Sequence, residues 1–282
     1  MKLSNSYNLP ETIVNAVGKQ YKPKANRFSV SDLTTPPQIR YLKTKHWDEL
    51  EEDVSDKLWM LLGSAVHYIL EKGSPENALS EEKMEIKIGD VTFVGKPDLL
   101  HNDEISDWKI CSVYSFLLGD KPEWEAQLNL YKFLFAQKGL NVSKLTIHAI
   151  LRDWQKSKSL QDADYPKIPF MSVDIPIWDS ARVATFINKA ISDLSAEVPR
   201  ECTPEEQWAK PTQYAVQDPK KKRALRVLDS FEDAEKWMKA QPDSAKLNIA
   251  QRLGSKARCE GYCPVSKHCE QYKREEGGGS IE

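Results

Sequence analysis

Apolar side chains in DKLWMLLGSAVHYILEKG fall at Leu58, Leu61, Leu62, Ala65, Val66 and Ile69. This is the i, i+3, i+4, i+7 spacing of an amphipathic helix, with Gly73 as its stop. MEIKI, VTFVGKPDLL and ISDWKICS follow as three short strand-like runs. Gly89-Asp90 separates the first two and His101-Asn102-Asp103-Glu104 the last two, which predicts an antiparallel meander. Asp120 and Glu123 form a capping-box pattern around Pro122, opening a helix over EWEAQLNLYKFLFAQK that Gly139 closes. KLTIHAIL and FMSVDIPIW read as further strands. Asp179 caps a helix whose buried stripe is Val183, Phe186, Ile187, Ala190, Ile191 and Leu194. Upstream, FSVSDLTTPPQIRYL reads as a capped start followed by a loop or short helix, with Pro36-Pro37 interrupting regular structure.

Beyond Pro199 the pattern changes. QYAV and RALRVLD flank the basic segment QDPKKKR as a hairpin, Ser230 starts a helix over SFEDAEKWMKAQ, and cysteines cluster near the end. The expected organisation is a core over 1–198 with a basic N-terminal segment, and a metal-binding subdomain over 199–282. Its last residues, EEGGGSIE, read as a flexible tail.

Composition narrows the function classes. The 282 residues carry a net charge of -2, with 40% hydrophobic and 29% charged residues. That fits a folded globular chain and excludes a wholly electrostatic nucleic-acid binder. No apolar run approaches the roughly 18 residues that span a bilayer, and the N-terminus lacks the apolar stretch of a secretory signal. The expectation is a cytoplasmic protein without membrane contact. Locally the charge is uneven: residues 1–46 carry an excess of Lys and Arg, and so does the stretch around Lys220, Lys221, Lys222 and Arg223. These residues are candidates for neutralising DNA phosphates, and a solvated hairpin tip is the equally open alternative. Trp47, Trp154 and Trp208 are candidate stacking partners for single strands.

Chemistry concentrates in KPDLLHNDEISDWK. With His101–Glu104 as a four-residue loop, Leu100 faces Ile105 and Asp98 faces Asp107. Opposed carboxylates repel and destabilise a hairpin unless a positive group lies between them. Lys109 projects from the same sheet face as Asp107. Two carboxylates and a lysine on one face suit a hard divalent cation beside a phosphate. A bare D-x-K triplet is more often a solvated sheet face, so the neighbours matter. Gly63 and His67 are one turn apart on the preceding helix, where glycine permits close approach to the sheet. Gln127 and Tyr131 are one turn apart on the helix that follows, although an aromatic at helical spacing is usually core packing. Cys111 continues the alternation as a small buried residue.

Five cysteines, an odd number, do not form a secreted disulfide framework. Cys259, Cys263 and Cys269 give C-x(3)-C-x(5)-C, close to metal-ligand spacing without matching a zinc finger. Cys202, which begins the same unit, is the candidate fourth ligand. Four thiolates suit an iron–sulfur cluster or zinc.

The order GSAVH, KPD, SDWK and QLNLY resembles the PD-(D/E)xK nuclease superfamily, in particular its RecB/AddB-type exonuclease branch with phage-encoded members. The resemblance covers residues 28–150 by motif. It implies an α/β restriction-endonuclease-like core, a mixed sheet flanked by helices, and a cysteine-bearing C-terminal subdomain folded back over it. It implies a divalent-metal-dependent DNA exonuclease acting in recombination, repair or DNA processing, with a recombination or helicase partner. A non-catalytic DNA-binding or assembly protein that retains the fold is the rival; its signature would be a lost ligand or a lost lysine, and none is lost here. By the same resemblance His67, Asp98, Asp107 and the backbone carbonyl of Trp108 would ligate Mg or Mn. Lys109 would position or activate water, and Gln127 and Tyr131 would orient the site or touch the DNA backbone. The branch also implies a 4Fe-4S cluster in preference to Zn. The chain departs from it twice: the first cysteine gap has one extra residue, and no cysteine precedes the core, where Pro36-Pro37-Gln38 stand. Digestion polarity, strand preference and oligomeric state do not follow from the resemblance.

Overall fold

In a computed structural model the chain divides into two compact units, Met1–Arg200 and Glu201–Glu282. The described residues are 1–117 and 121–277. Asp120, the expected helix cap, lies outside them, as do residues 278–282 of the expected tail.

The first unit is mixed α/β. Strand β1 (Arg27–Ser29) is followed by helix α1 (Pro37–Lys45) and helix α2 (Leu58–Lys72). Strands β2 (Leu79–Ser80), β3 (Met84–Ile88), β4 (Val91–Gly95), β5 (Leu99–His101) and β6 (Glu104–Cys111) come next. Helix α3 (Pro122–Ala136), strand β7 (Lys144–Leu151), strand β8 (Phe170–Asp174) and helix α4 (Ser180–Ser195) follow, with shorter elements between and before these. One sheet has the order β8-β7-β6-β5-β2 and a second the order β1-β4-β3. Within the first, β6 and β7 run parallel and are connected through α3, while the other pairings are antiparallel.

The expected meander is therefore corrected. VTFVGKPDLL is not one strand, because it breaks at Lys96-Pro97-Asp98 and passes from the smaller sheet to the larger. Pro97 has no N–H to give a ladder and fixes its φ, so the chain leaves one sheet there. The turn before β6 is also tighter than expected. His101 pairs with Glu104, leaving a two-residue connection of Asn102 and Asp103, with φ of 49° and 60°. Both lie in the left-handed region that a type I′ hairpin turn requires and that Asn and Asp tolerate. The Leu100–Ile105 pairing is as expected.

Pro37 does not interrupt structure. It occupies the first turn of α1, where a missing N–H costs nothing. Just before it, Ser29 and Asp32 form a capping box. Helix α2 forms where predicted, with Gly73 at its end, yet none of its residues is buried and Trp59 and Ile69 are about two-thirds exposed. Its apolar stripe is thus not the core face that the periodicity implies. The core lies instead around α3, whose Leu128, Leu130, Leu134 and Phe135 are fully enclosed with Phe93, Ile105, Leu145 and Ile147. In α4, Val183 and Ile187 are buried and Phe186, Ala190, Ile191 and Leu194 pack half-buried beside them. Asp179 caps α4 by accepting from the Arg182 N–H at 2.7 Å.

In the second unit, β9 (Gln213–Gln217), β10 (Arg226–Leu228) and β11 (Asn248–Arg252) form an antiparallel sheet with β9 in the centre. Helix α5 (Phe231–Lys239) follows its Ser230 cap. Apolar burial is sparse: the buried hydrophobic residues among those described are Ala215, Val216, Ala234, Val265 and Cys269.

Candidate active site and cysteine cluster

Alternation along β6 sends Ile105, Asp107 and Lys109 to the face that meets α3. Gln127 and Tyr131, one turn apart on α3, meet them there. Asp107 is 2% exposed. Gln127 Nε2 donates to Asp107 Oδ1 at 3.1 Å and to the Tyr131 hydroxyl at 3.2 Å. Lys109 Nζ donates to Gln127 Oε1 at 2.9 Å. It also lies 2.6 Å from Asp107 Oδ2, but that oxygen is buried and receives no well-directed hydrogen bond. Burial is the main force raising the Asp107 carboxyl to about 6; the Lys109 ammonium opposes it and the Asp98 charge adds to it.

Asp98 follows Pro97 at the sheet crossing. Its Oδ2 accepts the Trp108 N–H at 2.8 Å and its Oδ1 lies 3.2 Å from His67 Nδ1. The His67 imidazole is raised above its ordinary value, chiefly by this contact. A strand residue sends its N–H and C=O to the same side. The Trp108 carbonyl therefore points toward the Asp98 side of β6, beyond the end of β5. On its other face the Trp108 ring stacks on His148, with centroids 4.8 Å apart.

Close approach of helix and sheet occurs at Gly95, not at Gly63. A Cβ on Gly95 would collide with Leu134 and lie 3.1 Å from the Tyr131 ring, whereas one on Gly63 would meet nothing. Cys111 is half-buried rather than buried, beside Ala149 and Leu151.

Glu81 is a member of the group that the sequence reading missed. Its Oε1 lies 3.6 Å from His67 Nδ1, and the ligand atoms of His67, Glu81 and Asp98 all lie within 4.8 Å of one another. No spacing rule flags it, because the juxtaposition is made by the pairing of β2 with β5. The residues fit a hard cation: an imidazole nitrogen of His67 and the carboxylate oxygens of Glu81 and Asp98 lie together, at the sheet edge next to the strand that carries Asp107.

In the second unit Cys202, Cys259 and Cys263 are half-buried and Cys269 is buried. Cys202 is tied to the cysteine-rich end by Gln271, 69 residues away: Gln271 Oε1 accepts the Cys202 N–H and its Nε2 donates to the Cys202 carbonyl, both at 2.9 Å. Gln271 is a second residue that the sequence reading missed. Burial raises the Cys202 thiol to about 12 and the Cys259 thiol to about 11, and the neighbouring cysteines add to both. Cys263 is also raised by burial. Lys220, Lys221, Lys222 and Arg223 are all exposed in the loop between β9 and β10. Of the three tryptophans noted for stacking, Trp208 is exposed, whereas Trp154 is half-buried and donates to the Pro166 carbonyl at 2.7 Å.

No protein-family model matches the chain, and no curated protein matches it. Among solved structures, SSO0001 is similar at 18% identity, over 70% of this chain and 86% of that one, with a TM-score of 0.45. An alkaline exonuclease (LHK-Exo) from Laribacter hongkongensis is similar at 15% identity, over 67% of this chain and 94% of that one, with a TM-score of 0.36. No helix among the described residues is long and apolar enough to cross a membrane.

Proposed function

We propose that the chain is a divalent-metal-dependent deoxyribonuclease of the PD-(D/E)xK type, acting as an exonuclease in DNA recombination, repair or processing. The carrying observation is Asp107, buried between β6 and α3, with the Lys109 ammonium 2.6 Å from its Oδ2 and Gln127 bridging the two. A solvated charge pair would not be sealed between a sheet and a helix. The element order, from α2 through the hairpin of β5 and β6 to α3 and the parallel β7, supports the same reading.

His67, Asp98, Asp107 and the Trp108 carbonyl would hold Mg or Mn. When bound, the cation supplies charge stabilisation at the phosphoryl oxygen and acidifies a coordinated water. Lys109 would orient the attacking water and offset negative charge developing on the phosphate. Gln127 holds both Lys109 and Asp107, which fixes the distance between ammonium and carboxylate, and Tyr131 sets the Gln127 amide. The exposed cations Lys220–Arg223 would contact DNA phosphates. Digestion of end-labelled linear DNA and of circular DNA, with and without Mg, tests the reading. Metal-dependent loss of the linear form alone is expected. Cleavage of circles would make the protein an endonuclease, and inertness toward both would favour the non-catalytic DNA-binding alternative.

Cys202, Cys259, Cys263 and Cys269 would hold a structural 4Fe-4S cluster. The preference for a cluster over zinc rests on the resemblance of the cysteine group to that of the RecB/AddB-type branch, since soft thiolates accept either metal. Anaerobically purified protein should be brown and should bleach on oxidation; colourless protein with one zinc per chain would reverse the choice.

A further inference from the structure

Glu81 directly follows the edge strand β2 and has a φ of 53°, a left-handed conformation uncommon for a glutamate. Its surroundings impose it. Ser80 pairs with Leu99, and both the Glu81 N–H and the Ser80 hydroxyl donate to the Asp98 carbonyl at 3.1 Å. Backbone strain of this kind persists where neighbours over-determine it, and it marks functional positions. The constrained backbone turns the Glu81 side chain inward to 15% exposure, with one oxygen toward His67 and the other on Lys96. A surface ion pair with Lys96, whose side chain is 57% exposed, would not need this; a glutamate in ordinary extended backbone could reach it from solvent.

We infer that Glu81 is an additional carboxylate ligand of the same divalent cation, and that Lys96 is the counter-ion holding it until the cation arrives. The inference rests on the nuclease reading and extends its ligand set. Charge balance supports it. The three carboxylates of Glu81, Asp98 and Asp107 offset one divalent cation plus the Lys109 ammonium. Lys96 then loses its partner when the site fills, and its charge becomes available to a DNA phosphate beside the metal. Cation and DNA would therefore bind cooperatively through this lysine.

The test is titration of the full chain with Mn²⁺, in the absence of DNA, reading the free ion by its paramagnetic resonance signal. Glu81→Gln keeps size and hydrogen bonding and should weaken Mn²⁺ binding about tenfold or more. Lys96→Ala should tighten it several-fold, and should have little effect once Glu81 is already Gln. Binding unchanged by Glu81→Gln would overturn the inference alone. So would a Lys96→Ala effect of equal size in both backgrounds, which would mark the lysine as a distant charge. If Glu81→Gln does not fold, an unchanged Mn²⁺ affinity in the exposed Lys96→Ala variant overturns it. A wild-type chain that takes up no Mn²⁺, or whose uptake ignores Asp98→Ala, overturns the nuclease reading and this inference with it.

Discussion

The two candidate metal sites are built in opposite ways. The carboxylate site sits on a core that closes without any ion, since Ile105, Leu128, Leu134 and Ile147 are fully enclosed around β6, α3 and β7. Its polar groups are already placed by Gln127, Tyr131 and the Trp108 N–H. The cysteine site lies in a unit with few buried apolar residues, and its thiols are raised by burial. A raised thiol resists the deprotonation that ligation requires, so metal binding there would be coupled to folding. In the first unit an ion would serve chemistry and cost nothing to lose structurally. In the second an ion would serve structure.

Variants can break this contrast, beginning where the effect is largest. Asp107→Ala should lower hydrolysis of linear DNA by at least about 10³-fold, the scale of losing a transition-state charge stabiliser in a closed site, while gel-shift binding persists. Full turnover in that variant would remove Asp107 from the chemistry. Lys109→Ala should cost about 10²-fold or more in turnover with Mn²⁺ affinity little changed, because the lysine faces water and phosphate. Lys109→Arg should fail as well, since a planar guanidinium cannot replace a compact ammonium between Asp107 and Gln127. Recovery of activity with arginine would reduce the role to bulk electrostatics.

The cysteine side predicts the reverse order of losses. Cys263→Ser should first lower solubility and open residues 201–277 to limited proteolysis, with activity falling only as a consequence. Metal-free chain that keeps this region protected would erase the distinction between the two sites. Gln271→Ala should act in the same direction more weakly, by about 1–3 kcal/mol, because it leaves the Cys202 backbone groups without partners. Urea unfolding of metal-loaded protein would read it.

A pH scan sharpens the carboxylate side. Asp107 is raised in the folded chain to about 6, so between about pH 4 and 6 the folded state binds more protons than the unfolded one. The contribution of Asp107 to the stability of the metal-free protein should therefore fall as pH rises through that window, by on the order of 2 kcal/mol, and then level off. It is read as the difference between the wild-type and Asp107→Asn profiles, which cancels the opposite slope of carboxyls held below their usual range, such as Glu85 and Glu275. Asp107→Asn should remove that component and leave the metal-free fold more stable at neutral pH. Parallel wild-type and Asp107→Asn profiles would mean that Lys109 neutralises the carboxylate fully.

Local pattern made much of this protein legible. The period of two placed Asp107 and Lys109 on one face, helical spacing placed Gln127 beside Tyr131, and the cap residues Asp179 and Ser230 marked where helices begin. The Leu100–Ile105 register followed from the same alternation, even though the turn proved to be two residues long, because a symmetric shortening of the loop leaves the opposed pairs unchanged.

Where elements meet was decided by tertiary structure. Periodicity reports that α2 has an apolar stripe but not whether anything covers it, and its residues stay unburied. Gly63 and Gly95 look alike in sequence, yet only Gly95 lies against a neighbouring helix. Glu81 joins His67 through the pairing of β2 with β5, and Cys202 joins the later cysteines through one glutamine 69 residues on. Such contacts depend on which strand pairs with which and on which backbone groups need partners. Side-chain period along the chain carries no record of either.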